Sequence, residues 1–228
     1  MKKVVMGLSG GMDSATLLGF MLNEGAEVHC CHFQYGSKHN EYEKMAMLGL
    51  LAFYRYYQFP VYLHEFHLAE VFSKFNSNLL QSGGPIPEGH YKEESMKLTV
   101  VPGRNLIFSS IMAGLAESIG ATVIALGVHS GDHAIYPDCR PEFIRSLNNT
   151  IFHSTDGKIM VNTPLLYEDK TTILKIGYNL KLPVPYHLTR TCYKDQELSC
   201  GKCGSCVERL EAFENIGKQD PIEYENER

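Results

Sequence analysis

The chain has 228 residues, of which 44% are hydrophobic and 21% charged, and its formal charge is −5. It can bury a sizeable core as one domain, and its negative balance offers no general field for a nucleic acid, so a small-molecule substrate is favoured. Nothing at the N-terminus has the form of an export signal and no apolar run approaches the ~20 residues of a bilayer span, which places the chain in the cytoplasm with no membrane partner.

Apolar stretches alternate with helical patterns in the manner of a doubly wound parallel α/β sheet. "KKVVMGL" predicts a buried first strand, and "DSATLLGFMLNEG" a helix ending at Gly25. "EVHCCHF" predicts a second strand, "YEKMAMLGLLAFYRYY" a helix, and "VYLHEF" a third strand after Pro60. From His67 to Leu98 the segment "SGGPIPEG" breaks any regular period, and an excursion over the active-site rim is expected there, free to move without ligand. "RNLIFSSIMAGLAESIG" then predicts a helix closed by Gly120, and "ATVIALGV" a fourth strand. "RPEFIRSLNNTIF" predicts another helix, "KIMVNTPLL" a short extended piece, and "DKTTILKIGYNL" a helix capped by Asp169. The α/β domain is expected over 1–185, a cysteine-bearing segment with the last helix "VERLEAFENIG" over 186–217, and a polar, frayed tail over 218–228.

Between the first strand and its helix stands Ser9-Gly-Gly-Met-Asp-Ser14. A Gly-rich turn at a helix N-terminus presents backbone N–H groups and a partial positive charge to a phosphate chain. Ser9 and Ser14 add hydroxyls, while Asp13, which would repel phosphate directly, suits a magnesium ion bridging phosphate oxygens, or else simply caps the helix. The stretch Leu8, Ser9, Gly10, Gly11, Met12, Asp13, Ser14, Ala15 and Thr16 is the candidate nucleotide site. "SGGMDS" departs from G-x-x-x-x-G-K-[ST] and from G-x-G-x-x-G, and resembles instead the pyrophosphate loop (PP-loop) of the N-type ATP pyrophosphatases, which adenylate substrates and release pyrophosphate.

Near the other end, Cys192, Cys200, Cys203 and Cys206 give two successive C-x-x-C steps that share Cys203. Four thiolates suit tetrahedral zinc, and a closed four-sulfur site leaves no position for substrate, so a structural zinc stapling the C-terminal segment is expected.

"VPGRN", "YPDCRPEF", "TPLL", Lys170 and the "TCY…CGKCGSC" ending, taken with the loop, resemble the 7-cyano-7-deazaguanine (preQ0) synthase family over nearly the whole chain. The resemblance implies an adenine-nucleotide α-hydrolase-like fold with a small C-terminal zinc-binding helical segment. It implies an ATP-dependent ligase that uses magnesium and turns 7-carboxy-7-deazaguanine and ammonia into the nitrile in queuosine or related deazapurine biosynthesis, with no nucleic acid at this step. Two activations are required, one on the acid and one on the amide. Asp13, Lys170 and Arg104 are the candidate catalytic residues, and His39, Arg104, Asn105, Asp138 and Arg140 the candidate substrate contacts. Asp138 would accept from a guanine-like edge and Arg140 would pair with the substrate carboxylate. A homodimer is expected. The family commonly shows Y-G-Q-R-H-x-x-E after the second strand, where this chain has "YGSKHNEYE", leaving Glu41 or Glu43 to stand in for the acid.

Rival readings are an enzyme that stops at the amide, a tRNA thiolase of the same superfamily with Cys139 as sulfur carrier, and a zinc-ribbon interaction module carrying a degenerate nucleotide site. Cys139 is not required by the ligase chemistry, and His29, His32, His129 and His133 are too scattered to argue for a metal.

Overall fold

A computed structural model describes residues 1–89 and 94–225. The part of the expected rim excursion at 90–93 and the tail at 226–228 lie outside the described residues.

Five parallel strands, β1 (Lys3–Gly7), β2 (Glu27–Gln34), β3 (Val61–His67), β4 (Val123–Ala125) and β5 (Met160–Asn162), form one sheet in the order β3-β2-β1-β4-β5. The helices are α1 (Met12–Asn23), α2 (Asn40–Tyr56), the short α3 (Ala69–Phe72), α4 (Arg104–Ile119), α5 (Pro141–Ser154), α6 (Lys170–Tyr178) and α7 (Gly204–Asn215), with four short 3-10 turns between them. The extended piece "KIMVNTPLL" is a true fifth strand, parallel to β4, while β4 itself is only three residues of the longer run expected.

Successive side chains along β1 and β2 enter opposite cores, as period-2 geometry requires. Val4, Met6, Val28 and Cys30 face one core with Leu17, Leu18, Leu50, Leu51, Ile173 and Phe213, whereas Val5, Cys31, Phe33 and Ile124 face a second core with Met112, Ala116 and Leu147. Both faces of β1 are covered, so its sequence reads as an unbroken apolar run. Strand order reverses between β1 and β4, and the crevice at their C-terminal ends is where an open α/β sheet takes its ligand.

Three expectations change. The helical stretch Ser95–Ile119 is, by length and composition, apolar enough to cross a membrane, contrary to the sequence reading. It is broken before Arg104 by Gly103 in the left-handed region (φ 63°), and α4 packs Ser109, Met112, Ala113 and Ala116 inward as a core helix. The excursion after β3 is anchored by Phe72, Leu79, Leu80 and Met96 in the second core. The frayed tail is instead packed as far as Glu225: Asp220 and Tyr224 are buried, the Ser199 N–H donates to the Glu223 carbonyl and the Glu225 N–H to the Ser199 carbonyl, and Tyr224 joins the four cysteines in a small apolar cluster.

Arg209 explains the docked tail. Its side chain is fully buried, with Nε donating to Asp220 Oδ2 at 2.7 Å, Nη2 to Asp220 Oδ1 at 2.9 Å, and Nη1 to the hydroxyls of Thr189 and Thr191. Removing one partner of such a pair leaves an uncompensated buried charge. Asp220→Ala should therefore cost about 3–5 kcal/mol in urea unfolding, while the exposed tail change Lys218→Ala should stay within about 0.5 kcal/mol. Equal, negligible losses in the two variants would mean that the tail frays after all.

Candidate active site

β1 ends at Gly7, the buried Leu8 follows it, and the chain turns through Ser9, Gly10 and Gly11 into α1. Gly10 has φ 88°, and a Cβ there would lie 2.7 Å from the Glu43 carbonyl and 2.9 Å from the Met47 nitrogen, so the loop is pressed onto α2 where only glycine fits. Ser9 Oγ accepts from the Gly11 N–H at 3.2 Å and lies 3.1 Å from Ser14 Oγ, which donates to the Gly11 carbonyl. No side chain caps α1, so its first-turn N–H groups remain for an anion.

A cavity of about 240 Å³ opens onto this loop. Leu8, Ser9, Gly11, Met12, Asp13 and Ser14 line it, whereas Gly10, Ala15 and Thr16 support the loop from behind. Ala15 is in the core, and the Thr16 hydroxyl pairs with Tyr186 at 2.7 Å.

Asp13 does not cap the helix. Its Oδ2 is 3.2 Å from Lys170 Nζ and 3.7 Å from His129 Nε2, and its Oδ1 is buried with no hydrogen-bond partner among the described residues. That orphaned oxygen beside the anion loop fits a magnesium ligand. Burial alone would raise the Asp13 carboxyl, but Lys170 and His129 outweigh it and hold it below its usual range. Lys170, the first residue of α6, also lies 2.8 Å from Glu208 Oε2 of α7. Burial pushes its ammonium down, yet Asp13, Glu208 and Asp132 more than compensate and raise it, so it stays charged. His129 accepts the Gly131 N–H on Nδ1 at 3.1 Å and directs its Nε2 toward Asp13 and toward Asp132 at 3.5 Å.

The far end of the cavity is aromatic and cationic. Arg104 opens α4, with its guanidinium 5.9 Å from the Tyr136 ring centroid, and Phe108 stacks on Phe33 at 4.0 Å and meets the edge of Tyr35. Burial lowers Arg104, but Tyr35, Tyr136, Asp138 and Cys139 raise it well above its ordinary value. Asn105 lines the cavity, its Nδ2 donating to Cys139 Sγ at 3.2 Å and to the Asp138 carbonyl at 3.1 Å. Burial, Asp132 and Asp138 push the Cys139 thiol well up, against the low thiol pKa that marks a reactive cysteine.

The structure does not bring Asp138 and Arg140 into the cavity lining. Asp138 Oδ2 accepts the Asn105 backbone N–H at 2.9 Å, satisfying the start of α4. Arg140 precedes α5, is exposed, and donates Nε to the His133 carbonyl at 2.8 Å. His39 does line the cavity, with its Nε2 3.2 Å from Glu43 Oε1. Glu43 is thus the acid of this loop, while Glu41 is exposed. Lys38 turns away and donates to the Gly83 and Gly84 carbonyls.

The remaining wall comes from the cysteine segment: Arg190, Thr191, Tyr193 and Ser205. The sulfurs of Cys192, Cys200, Cys203 and Cys206 are buried within 4.8 Å of one another, and those of Cys200 and Cys206 are 4.0 Å apart. Sulfurs on a tetrahedron ~2.3 Å from a zinc ion stand ~3.8 Å apart. Backbone N–H groups of Lys194 and Cys200 point at Cys192 Sγ, and those of Lys202 and Cys203 at Cys200 Sγ, as thiolates require. This set can hold a metal such as zinc.

Sequence reasoning missed His129, Asp132, Glu208, Tyr35 and Arg190 as site residues. His129 and Asp132 carried a signal, since they follow the fourth strand where such sheets bind ligands. Tyr35, directly after β2, carried the same signal, whereas Glu208 and Arg190 reach the site only through tertiary packing.

Comparison with known proteins agrees with this geometry. The family model for queuosine biosynthesis protein QueC matches residues 3–217. A 7-cyano-7-deazaguanine synthase of Pseudoalteromonas atlantica is 44% identical over 98% of this chain and 99% of its own length, and one from Alteromonas mediterranea is 40% identical over the same shares. Among solved structures, the U34-tRNA thiolase NcsA from Methanococcus maripaludis, which carries a [4Fe-4S] cluster, matches with a TM-score of 0.51 at 16% identity. That likeness covers 94% of this chain and 65% of the thiolase, and it concerns the fold alone. The chain belongs to the QueC family of queuosine biosynthesis proteins.

Proposed function

We propose that the chain is an ATP-dependent ligase that converts 7-carboxy-7-deazaguanine and ammonia into 7-cyano-7-deazaguanine. The observation that carries this reading is a single cavity joining an uncapped helix N-terminus and its serine loop to an arginine among aromatic rings. The first end suits a phosphate chain, the second a flat, carboxylate-bearing heterocycle.

A carboxylate is a poor acyl electrophile. Attack of its oxygen on the α-phosphorus of ATP expels pyrophosphate and leaves an acyl adenylate; ammonia then displaces AMP and gives the amide. The amide oxygen, activated in the same way by a second ATP, leaves with AMP and the nitrile forms. In this scheme Ser9, Ser14 and the first N–H groups of α1 hold the departing pyrophosphate, and Arg104 orients the acid for in-line attack. Lys170 keeps Asp13 ionised and placed. Magnesium held by Asp13 would supply charge neutralisation on the phosphate oxygens. His129 fixes the Asp13 carboxylate from its other side. Zinc on the four cysteines would act structurally, and a reducing cytoplasm keeps the thiols available to it.

The reaction itself is the first test. Purified protein given ATP, magnesium, ammonium and 7-carboxy-7-deazaguanine should yield the nitrile by mass spectrometry at two ATP consumed per product, with the amide passing through as an intermediate. Amide accumulating without nitrile would assign the chain to the amide-forming alternative. Asp13→Asn should leave the fold intact by circular dichroism and abolish pyrophosphate release; release at the wild-type rate would remove Asp13 from the magnesium role. Elemental analysis should find one zinc per chain, and Cys203→Ser should lose the metal together with thermal stability. Protein purified without chelator yet free of zinc would refute the structural-zinc assignment.

A further inference from the structure

Three cations line the cavity, and their surroundings differ. Lys170 is neutralised by Asp13 and Glu208, and Arg104 sits among phenol rings with Asp138 nearby. Arg190 is only 9% exposed and makes no ion pair with any carboxylate among the described residues. Its Nη1 donates to the Glu197 carbonyl at 2.7 Å, and its Nη2 to those of Gln196 at 2.6 Å and Lys194 at 3.0 Å. The guanidinium lies 4.7 Å from the ring centroid of Tyr42, and its Nε is buried without an acceptor among the described residues.

The same residue grips the phosphate loop through its main chain. Its N–H donates to the Gly10 carbonyl at 2.8 Å, and its own carbonyl lies 3.5 Å from where a Gly11 Cβ would stand. Peptide dipoles and one ring face only partly offset a guanidinium so removed from water, and a full positive charge left in such surroundings is costly. A polyphosphate bound on the neighbouring loop would offset it, and the attraction would act through a medium of low dielectric constant.

We propose that Arg190 is the standing positive charge of the phosphate end of the cavity, offset when the ATP triphosphate or the released pyrophosphate binds. The inference rests on the proposed ligase reading and divides the cations by task. Arg190 serves the phosphates beside Gly10 and Gly11, Arg104 serves the substrate carboxylate at the aromatic end, and Lys170 is committed to Asp13 and Glu208.

Binding of ATP and of inorganic pyrophosphate, measured by titration calorimetry on wild type, Arg190→Gln and Arg190→Lys with zinc content determined for each, tests the assignment. Arg190→Gln should bind both ligands about tenfold more weakly or worse, as when a charge-assisted contact is lost. Arg190→Lys should regain part of that affinity, because it restores the charge although not the fork of bonds to three carbonyls. In steady state the Gln variant should raise KM for ATP and leave KM for 7-carboxy-7-deazaguanine unchanged. Unchanged affinity in Arg190→Gln overturns the assignment, and so does a Lys variant as weak as Gln, which would make Arg190 a mere bracket for the loop. Should the Gln variant lose its metal or fail to fold, hydrogen exchange on wild type decides. Pyrophosphate should slow exchange across both 9–14 and 190–198, and no change over 190–198 overturns the proposal. Wild type that binds neither ligand overturns the ligase reading itself, whereas wild-type binding with an unaffected Gln variant overturns the Arg190 assignment alone.

Discussion

Lys170 is a cation with only 7% of its surface exposed, held 3.2 Å from Asp13 and 2.8 Å from Glu208. Burying an ammonium costs several kcal/mol unless carboxylates surround it, and here the two that do so come from helices far apart in sequence. α1 brings Asp13 and the serine-glycine loop before it, α6 brings the lysine, and α7 brings the second acid from the C-terminal segment. The three helices must therefore pack in one arrangement, and that arrangement places an ionised Asp13 beside the uncapped start of α1. The cluster is weak support for stability as such, since an apolar trio would pack as well. It does specify where the charges stand.

α7 shows how the C-terminal segment enters the site. On a helix of 3.6 residues per turn, Cys206, Arg209 and Phe213 share one face and Ser205, Glu208 and Ala212 an adjoining one. The first turn supplies Cys206 to the sulfur cluster and Ser205 to the cavity wall, the next supplies Glu208 to Lys170 and Arg209 to Asp220, and the last seats Ala212 and Phe213 in the main core. A metal held by the four cysteines would fix the start of this helix and with it Glu208, one turn on.

Much of the sheet was legible because both faces of β1 and β2 are buried and their apolar runs leave no ambiguity of period. The loop was legible because its glycines answer a steric demand, as the Glu43 carbonyl at Gly10 shows. β5 was harder, since Met160–Asn162 is short and only half-buried and its pairing with β4 is non-local. "PDCRPEF" pointed at the site through its charges, yet Asp138 spends its carboxylate on the start of α4 and Arg140 its guanidinium on the His133 carbonyl, uses that short-range turn chemistry equally permits. Glu43 could be narrowed to one of two acids but not chosen, because reach from His39 depends on where α2 begins. The tail looked polar enough to fray; only the buried guanidinium of Arg209, invisible in composition, demands its Asp220.

The fold is shared with a tRNA thiolase, so the architecture alone does not choose between sulfur transfer and ligation. The side chains do. A sulfur carrier works through its thiolate, but Cys139 is buried and stands under the field of Asp132 and Asp138, which push its thiol up and outweigh the opposing effects of Arg104 and of the hydrogen bond it accepts from Asn105. The ligation chemistry asks for no nucleophile from the protein, because ammonia supplies the nitrogen and the substrate's own oxygen attacks phosphorus. What that chemistry needs is positive charge at both ends of one cavity and an ionised carboxylate near the loop. In the proposed scheme Arg104 and Arg190 supply that charge and Asp13, beside Lys170, the carboxylate.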